Sequence, residues 1–230
     1  MLLSGNYKCN NMPLPRVLEP EVMSSAEEAV EYDEMDFSAT DRFFAERAAQ
    51  LAACAAVSLI ADLGSGNAKI PLAMCPLLPG AVRVCAVEMS AEMLAVAARN
   101  RARQGVELHL VAADAKHVPF ADQSVGMITS NSLIHHIPDP RAVFQEVARI
   151  ARPGAPILIR DLVRPENQQA LEQLVEAHAA HWSPLQRTLF ADSLHAALTL
   201  AEVRQMLDQC GLPDVTVAQI TDRHWSAERA

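Results

Sequence analysis

The chain is poor in aromatic residues, basic residues and long apolar runs, and each shortage excludes a class of protein. Aromatic side chains make up 4% of its 230 residues, although half of the sequence is apolar. The apolar weight falls on Ala, Val, Leu and Ile, which suits an α/β core better than a sandwich of short strands. Lys and Arg number 19 against 28 Asp and Glu, a formal net charge of −9. A surface this acidic repels phosphate backbones, so no nucleic-acid partner is expected. The densest basic stretch, Arg99 to Arg103, reads as the solvated end of a helix. Cysteines stand at 9, 54, 75, 85 and 210 with no C-x-x-C pair. That pattern argues against a disulfide framework and a structural zinc site and fits a reducing compartment. The longest apolar stretch, Leu51 to Ala61, is too short to span a bilayer. Met1 to Pro15 lacks the basic flank and apolar run of a signal peptide. A soluble, cytoplasmic protein without a membrane span is therefore expected.

What the chain does have is a regular alternation of strand and helix patterns. Residues 1 to about 24 carry Pro13, Pro15 and Pro20 and read as an arm or clasp. A helix is expected from about 39 to 54, with Ser38 and Asp41 as an acidic capping box. Strand patterns follow at Val57–Leu63, Val82–Val87, Val106–Ala112, Val125–Ser130 and Ile157–Asp161. Between them lie helical patterns at Asn67–Leu78, from Ser90 to about Arg103, and at Pro140–Ala151. Ser90 is placed to cap its helix and Gly105 to end it. Strands joined by helices of this length mean βαβ units, a parallel sheet and right-handed crossovers. The rhythm then breaks. Glu166–His181 and Pro184–Ala197 read as two helices with no strand between them, and helix 199–210 follows. Strand patterns return at Val215–Thr221 and His224–Ala227. One domain spanning 1–230 is expected, with residues 1–38 as an N-terminal arm and 162–198 as an inserted helical lid.

Three strand ends carry acidic residues. The first strand runs into Asp62-Leu63-Gly64-Ser65-Gly66, where two glycines allow a tight turn close to a ligand. A dinucleotide fingerprint would place its third glycine at Lys69, and Asp62 beside a pyrophosphate would be repulsive. A carboxylate at this position suits an ammonium group instead, held directly or through water. Glu88 ends the second strand and is placed to accept two hydrogen bonds from ribose hydroxyls, with Met89 packing on an adenine face. Asp114 follows the third strand; its carboxylate can take an adenine amino group while the Ala115 N–H reads a ring nitrogen. In an open α/β sheet these strand ends line the ligand crevice. The combination fits an amino-acid-bearing nucleoside.

These segments, together with Val87 to Leu94, Pro119-Phe120 and Arg152-Pro153-Gly154, resemble the ordered motifs of class I S-adenosylmethionine-dependent methyltransferases. The likeness is nearest to the ubiquinone/menaquinone-biosynthesis-like small-molecule group and covers residues 32 to 220. It implies a Rossmann-like three-layer sandwich whose seven-stranded, mostly parallel sheet has the order 3-2-1-4-5-7-6 and an antiparallel last strand. It implies S-adenosylmethionine as cofactor, with Asp62, Gly64, Ser65, Gly66, Glu88, Met89, Asp114 and Ala115 at the cofactor. Tyr32 resembles an N-terminal tyrosine that closes over it. The chain departs from the pattern in having Ala68 where many members have a third glycine, which suggests a slightly shifted turn. It also has Glu88 for the commoner Asp, and Gly126 where an Asp often precedes the fourth strand.

Ser130 to Asp139 follows the fourth strand, where the methyl acceptor is expected. It lacks the Asn/Asp-Pro-Pro-Tyr/Phe segment of some amide and base methyltransferases. Asn131 and Ser132 are expected at the methionine part of the cofactor or at the acceptor. His135 or His136 is a candidate general base, since imidazole titrates near neutrality; packing beside a loop is the plainer alternative. Arg160 and Asp161 are candidates for an acceptor contact or a surface ion pair. Trp182, Phe190 and His195 face either the acceptor or the lid's own core. His109, His117, His135 and His136 lack ligand spacing, so no metal is expected. The expected activity is methyl transfer to a small molecule, driven by alignment. A methyltransferase acting on a protein side chain and a non-catalytic binder of the same cofactor are the alternatives.

Overall fold

A computed structural model describes residues 13–19 and 26–230. After the extended segment 13–19 come helices α1 (Ala26–Glu34) and α2 (Ser38–Ala53), then β1 (Leu59–Leu63), α3 (Lys69–Met74), β2 (Arg83–Glu88), α4 (Ala91–Gln104) and β3 (His109–Ala112). The second half holds β4 (Met127–Asn131), α5 (Arg141–Ile150), β5 (Ile157–Leu162), α6 (Gln168–Ala179), α7 (Pro184–Ala196), α8 (Leu200–Gln209), β6 (Thr216–Gln219) and β7 (His224–Arg229). The seven strands form one sheet in the order β3-β2-β1-β4-β5-β7-β6. Neighbours from β3 to β5 are parallel, and β7 runs antiparallel to β5 and β6.

Side chains alternate across the sheet with the strand period of two. Ile60, Val84, Ala86, Met127 and Leu158 pack with Phe44 and Ala48 of α2, Leu72 of α3 and Ala97 of α4. Ala61, Leu63, Val87, Ile128, Ile157 and Ile159 pack on the other face with Val143, Phe144 and Val147 of α5 and Val203 and Leu207 of α8. Both faces of the central strands are thus buried, which is why those strands read as apolar runs rather than as alternating ones. Helices α6 and α7 stand apart from this double core. Leu171, Val175, Ala179, Leu194 and Ala197 form a smaller cluster joined by Leu14 of the extended segment.

Local signals explain most element ends. The Ser90 hydroxyl accepts the Met93 N–H and Gly105 closes α4 in the left-handed region. Ser183 with Gln186 and Thr199 with Glu202 make reciprocal capping boxes for α7 and α8. Other expectations need correction. Ser38 does not cap α2; it is the first residue of the helix, and Asp36 accepts its N–H. Pro140 is the N-cap residue of α5 rather than part of its first turn. The helix expected to reach Leu78 ends at Met74 and tightens into a 3-10 turn over Cys75–Leu77, where Pro76 removes a donor. Gly126 lets β4 start close to β1, because a Cβ there would lie 3.2 Å from the Leu59 carbonyl oxygen. No helix among the described residues is long and apolar enough to cross a membrane.

The α4 cap gives a direct test. Ser90→Ala should lower the unfolding free energy by about 1 kcal/mol in urea titration, because the Met93 N–H loses its acceptor.

Candidate active site

The carboxyl ends of β1, β2 and β4 open onto a cavity of about 340 Å³, within the size range of small-molecule sites. After β1 the chain turns through Gly64 and Gly66 at φ +68° and +55°. A Cβ on Gly64 would sit 2.6 Å from the Leu133 side chain, which would have to move, and the positive φ would strain any other residue there. The Ser65 N–H donates to the Val87 carbonyl, which ties the loop to β2. The Ser65 hydroxyl is buried without a partner among the described residues. Ala68, where the motif resembled has a third glycine, takes the left-handed conformation with φ +61°. The alanine accepts an unfavourable backbone, which costs roughly 1–2 kcal/mol.

Three acidic residues meet at the cavity wall. Asp62 is 3% exposed and accepts the Thr129 hydroxyl at 2.6 Å. Burial pushes its carboxyl up to about 7, opposed by that hydrogen bond and helped by Glu88 and Asp41. Glu88 accepts the Gly66, Met89 and Ser90 N–H groups at 2.8–2.9 Å. A carboxylate has about four acceptor positions, so two ribose hydroxyls could be held only by sharing an oxygen or releasing one of these amides. Asp114 accepts the Lys116 N–H at 2.8 Å, with the Lys116 ammonium 3.2 Å away. Met89 and Ala115 lie on the same wall. Tyr32 closes one side of the cavity from the end of α1, packed with Ala29, Met93 and Val96. Burial and the nearby Asp41 and Glu88 carboxylates push its phenol up to about 12.

The other end of the cavity is lined by Asn131, Ser132, Leu133 and His136 after β4, by Leu189 and Ser193 of α7, and by Glu19 of the extended segment. Ser132 holds φ +55°, a backbone cost at the mouth of β4. His135 is buried behind this wall and does not line the cavity. Its Nδ1 lies 2.5 Å from Asp161 and its Nε2 3.4 Å from Glu19. His136 Nδ1 is 2.9 Å from the same Glu19 oxygen. Burial works against the charged form of His135, but Asp161 and Glu19 outweigh it and raise its pKa. Burial likewise opposes ionisation of Asp161 and Glu19, yet the histidines hold both carboxyls below the usual range.

Residues 61–159 match a family model described as a methyltransferase domain. The sheet order and the ordered strand-end motifs agree with it. Over these residues the chain is similar to methyltransferase domains. It is 28% identical over 192 residues to an arsenite methyltransferase of Halobacterium salinarum, covering 77% of this chain and 44% of that protein. A demethylmenaquinone methyltransferase of a Roseiflexus species is 29% identical over 160 residues, covering 68% of this chain and 63% of that one. A solved S-adenosylmethionine-dependent methyltransferase from Aquifex aeolicus superimposes with a TM-score of 0.64 at 16% identity, over 90% of this chain and 98% of that chain. The chain thus spans under half the length of the first relative and under two thirds of the second. The solved Aquifex protein is described as dependent on S-adenosylmethionine, and the cavity here fits that group: a glycine turn at positive φ, an unsatisfied serine hydroxyl and a buried carboxylate border one space.

Two expected acceptor contacts lie elsewhere. Arg160 is buried on the α2 side, donates to Asn131 at 2.6 Å and to the Thr40 carbonyl, and stacks on Phe44. Asp161 is buried on the opposite face and serves His135, so the two neighbours are neither a surface ion pair nor part of the cavity wall. Trp182 and Phe190 pack against the α6–α7 cluster and each other, 5.7 Å between ring centres. His195 lies outside the cavity wall. Glu19 and Asp41 escaped the sequence reading. Their only signals are an acid inside a proline-rich arm and one on a helix surface; nothing in the local pattern aims either at the cavity.

Two substitutions test the site's electrostatics. The Asp62 carboxyl is raised by burial, so its charge appears only as the pH climbs through about 7. Calorimetric affinity for S-adenosylhomocysteine should therefore strengthen across that range. Asp62→Asn should flatten the profile and weaken binding roughly 10- to 100-fold. The buried charge also destabilises the unliganded fold as pH rises from the ordinary carboxyl range to about 7, so Asp62→Asn should raise the melting temperature at pH 8. Asp161→Asn breaks a buried ion pair and should cost about 3–5 kcal/mol in chemical denaturation.

Proposed function

We propose that the protein transfers the methyl group of S-adenosylmethionine to a small-molecule acceptor by in-line displacement. The observation that carries this reading is the single cavity running from the strand-end carboxylates to the polar cluster of Glu19 and His136. Bound there, the cofactor supplies an activated methyl group on a sulfonium. Asp62 takes its ammonium, Gly64, Ser65 and Gly66 give it a close backbone surface, and Glu88 takes a ribose hydroxyl. Met89, Asp114 and Ala115 hold the adenine, and Tyr32 covers the nucleoside. Asn131 marks the methionine end of the site, next to where the acceptor enters.

The chain's remaining work is alignment and exclusion of water, worth roughly 7–11 kcal/mol when the reacting atoms are well oriented. Helices α6 and α7, the 162–198 insertion, act as the lid over the acceptor end. Segment 13–19 works as a strap. Arg16 donates to the carbonyls of Ala196, Ile137 and Pro138, and the Val17 N–H donates to that of His195, which binds the lid to the loop after β4. An acceptor that is protonated at neutral pH loses its proton to His136, the imidazole on the cavity wall; His135 supports it from behind. The acidic surface and the enclosed acceptor end favour a small molecule over a nucleic acid.

Incubation of the purified chain with methyl-labelled S-adenosylmethionine and a metabolite extract should move label into the small-molecule fraction. Label in the protein fraction would identify a protein side chain as acceptor and overturn the proposal. Tight S-adenosylhomocysteine binding with no transfer to either fraction would identify a non-catalytic binder.

A further inference from the structure

The sequence offers no metal-ligand spacing, because the fold draws its third partner from the N-terminal arm. We propose that Glu19, His135 and His136 form a site for one divalent transition-metal ion of the zinc class at the acceptor end of the cavity. One ligand atom from each residue lies within 4.8 Å of the other two. Glu19 Oε1 stands 3.4 Å from His135 Nε2 and 2.9 Å from His136 Nδ1. Bonds of about 2.0–2.2 Å in a tetrahedral site give ligand edges of roughly 3.3–3.5 Å. Of the two edges at Glu19, one already has that length and the other needs to open by about half an ångström; the edge between the histidines lies within 4.8 Å. Two histidines and a glutamate leave a fourth position free, as in zinc sites that carry out chemistry.

An independent feature marks His135 as a ligand rather than a packed ring. Its Nδ1 faces Asp161 Oδ1 at 2.5 Å, which turns Nε2 toward Glu19. Asp161 is itself fixed by the N–H groups of Ile134, His135 and Leu162. A carboxylate behind an imidazole, held by the backbone, is the arrangement that orients metal-binding histidines. Glu19 is positioned too: the Ser193 hydroxyl reaches its oxygens at 3.2 and 3.3 Å. The His136 ring lies against His135 with centres 4.0 Å apart and planes tilted by 35°. Two carboxylates and the Arg16 guanidinium, which donates to the carbonyls of His135 and Ile137, leave net negative charge around the imidazoles.

Glu19 and His136 line the cavity, so the free position of the ion faces it. This deepens the acceptor assignment above and rests on it for the consequence: an acceptor hydroxyl or thiol coordinates there and passes its proton to water, a task His136 performs when no ion is bound. The site itself does not depend on that assignment.

The test uses tag-free full-length protein stripped with a chelator. Titration with Co2+ should give the visible absorption of a low-symmetry four-coordinate ion at one equivalent, and Zn2+ should displace it one for one. Glu19→Gln and His136→Ala should each weaken Co2+ affinity at least ~10-fold while the far-UV circular dichroism and a cooperative thermal transition report an intact fold. Absence of stoichiometric ion binding in the unaltered chain overturns the site, as does equal binding in both variants. Loss of S-adenosylhomocysteine binding by the unaltered chain instead strikes the cofactor reading and leaves the metal result standing.

Discussion

The cavity depends on the divergence of the chain at two adjacent parallel strands. β1 and β4 lie side by side, with Asp62 in register with Thr129, and their carboxyl ends lead to opposite sides of the sheet. A crevice opens where no helix crosses directly from one to the other. Asp62 sits at its base, in contact with the Thr129 hydroxyl and closed off from water. Burying that carboxyl is unfavourable, as its elevated pKa records. A buried carboxyl shifted in this way on a cavity wall is a candidate functional group.

Two of the three non-glycine residues at positive φ among the described residues border the same crevice; the third, Gln123, lies in the turn before β4. Ala68 and Ser132 both hold positive φ without being glycine, one after β1 and the other after β4. They flank the two strand ends that diverge. Packing of Leu133 against Gly64 locks the two loops together, so neither can relax without moving the other. Strained backbone held by surrounding contacts at a ligand site is the usual form of preorganisation.

The acceptor end is built differently. Its groups come from the arm, the loop after β4, β5 and α7, elements far apart in the chain. Arg16 gathers four carbonyls from two of these elements and acts as a polar fastener between them. The polar cluster around His135 is almost wholly satisfied: Asp161 accepts three backbone amides besides the imidazole. Such a cluster in a low-dielectric setting is rigid when complete and costly when broken.

What the sequence determined by itself was the sheet and the strand-end half of the cavity. Strand and helix periods, the Gly64–Gly66 turn, the Ser90 cap and the three strand-end acids are local signals, and parallel-sheet topology brings strand ends together without further information. Tertiary structure alone decided the acceptor half. Arg160 and Asp161 are adjacent in sequence but point to opposite sheet faces, so no reading of the dipeptide could show that one holds α2 and the other His135. Glu19 lies more than 100 residues from the histidines it meets. Its position is set by the strap's backbone contacts with the lid, which carry no periodic signature because an extended segment buries too little of itself to impose one.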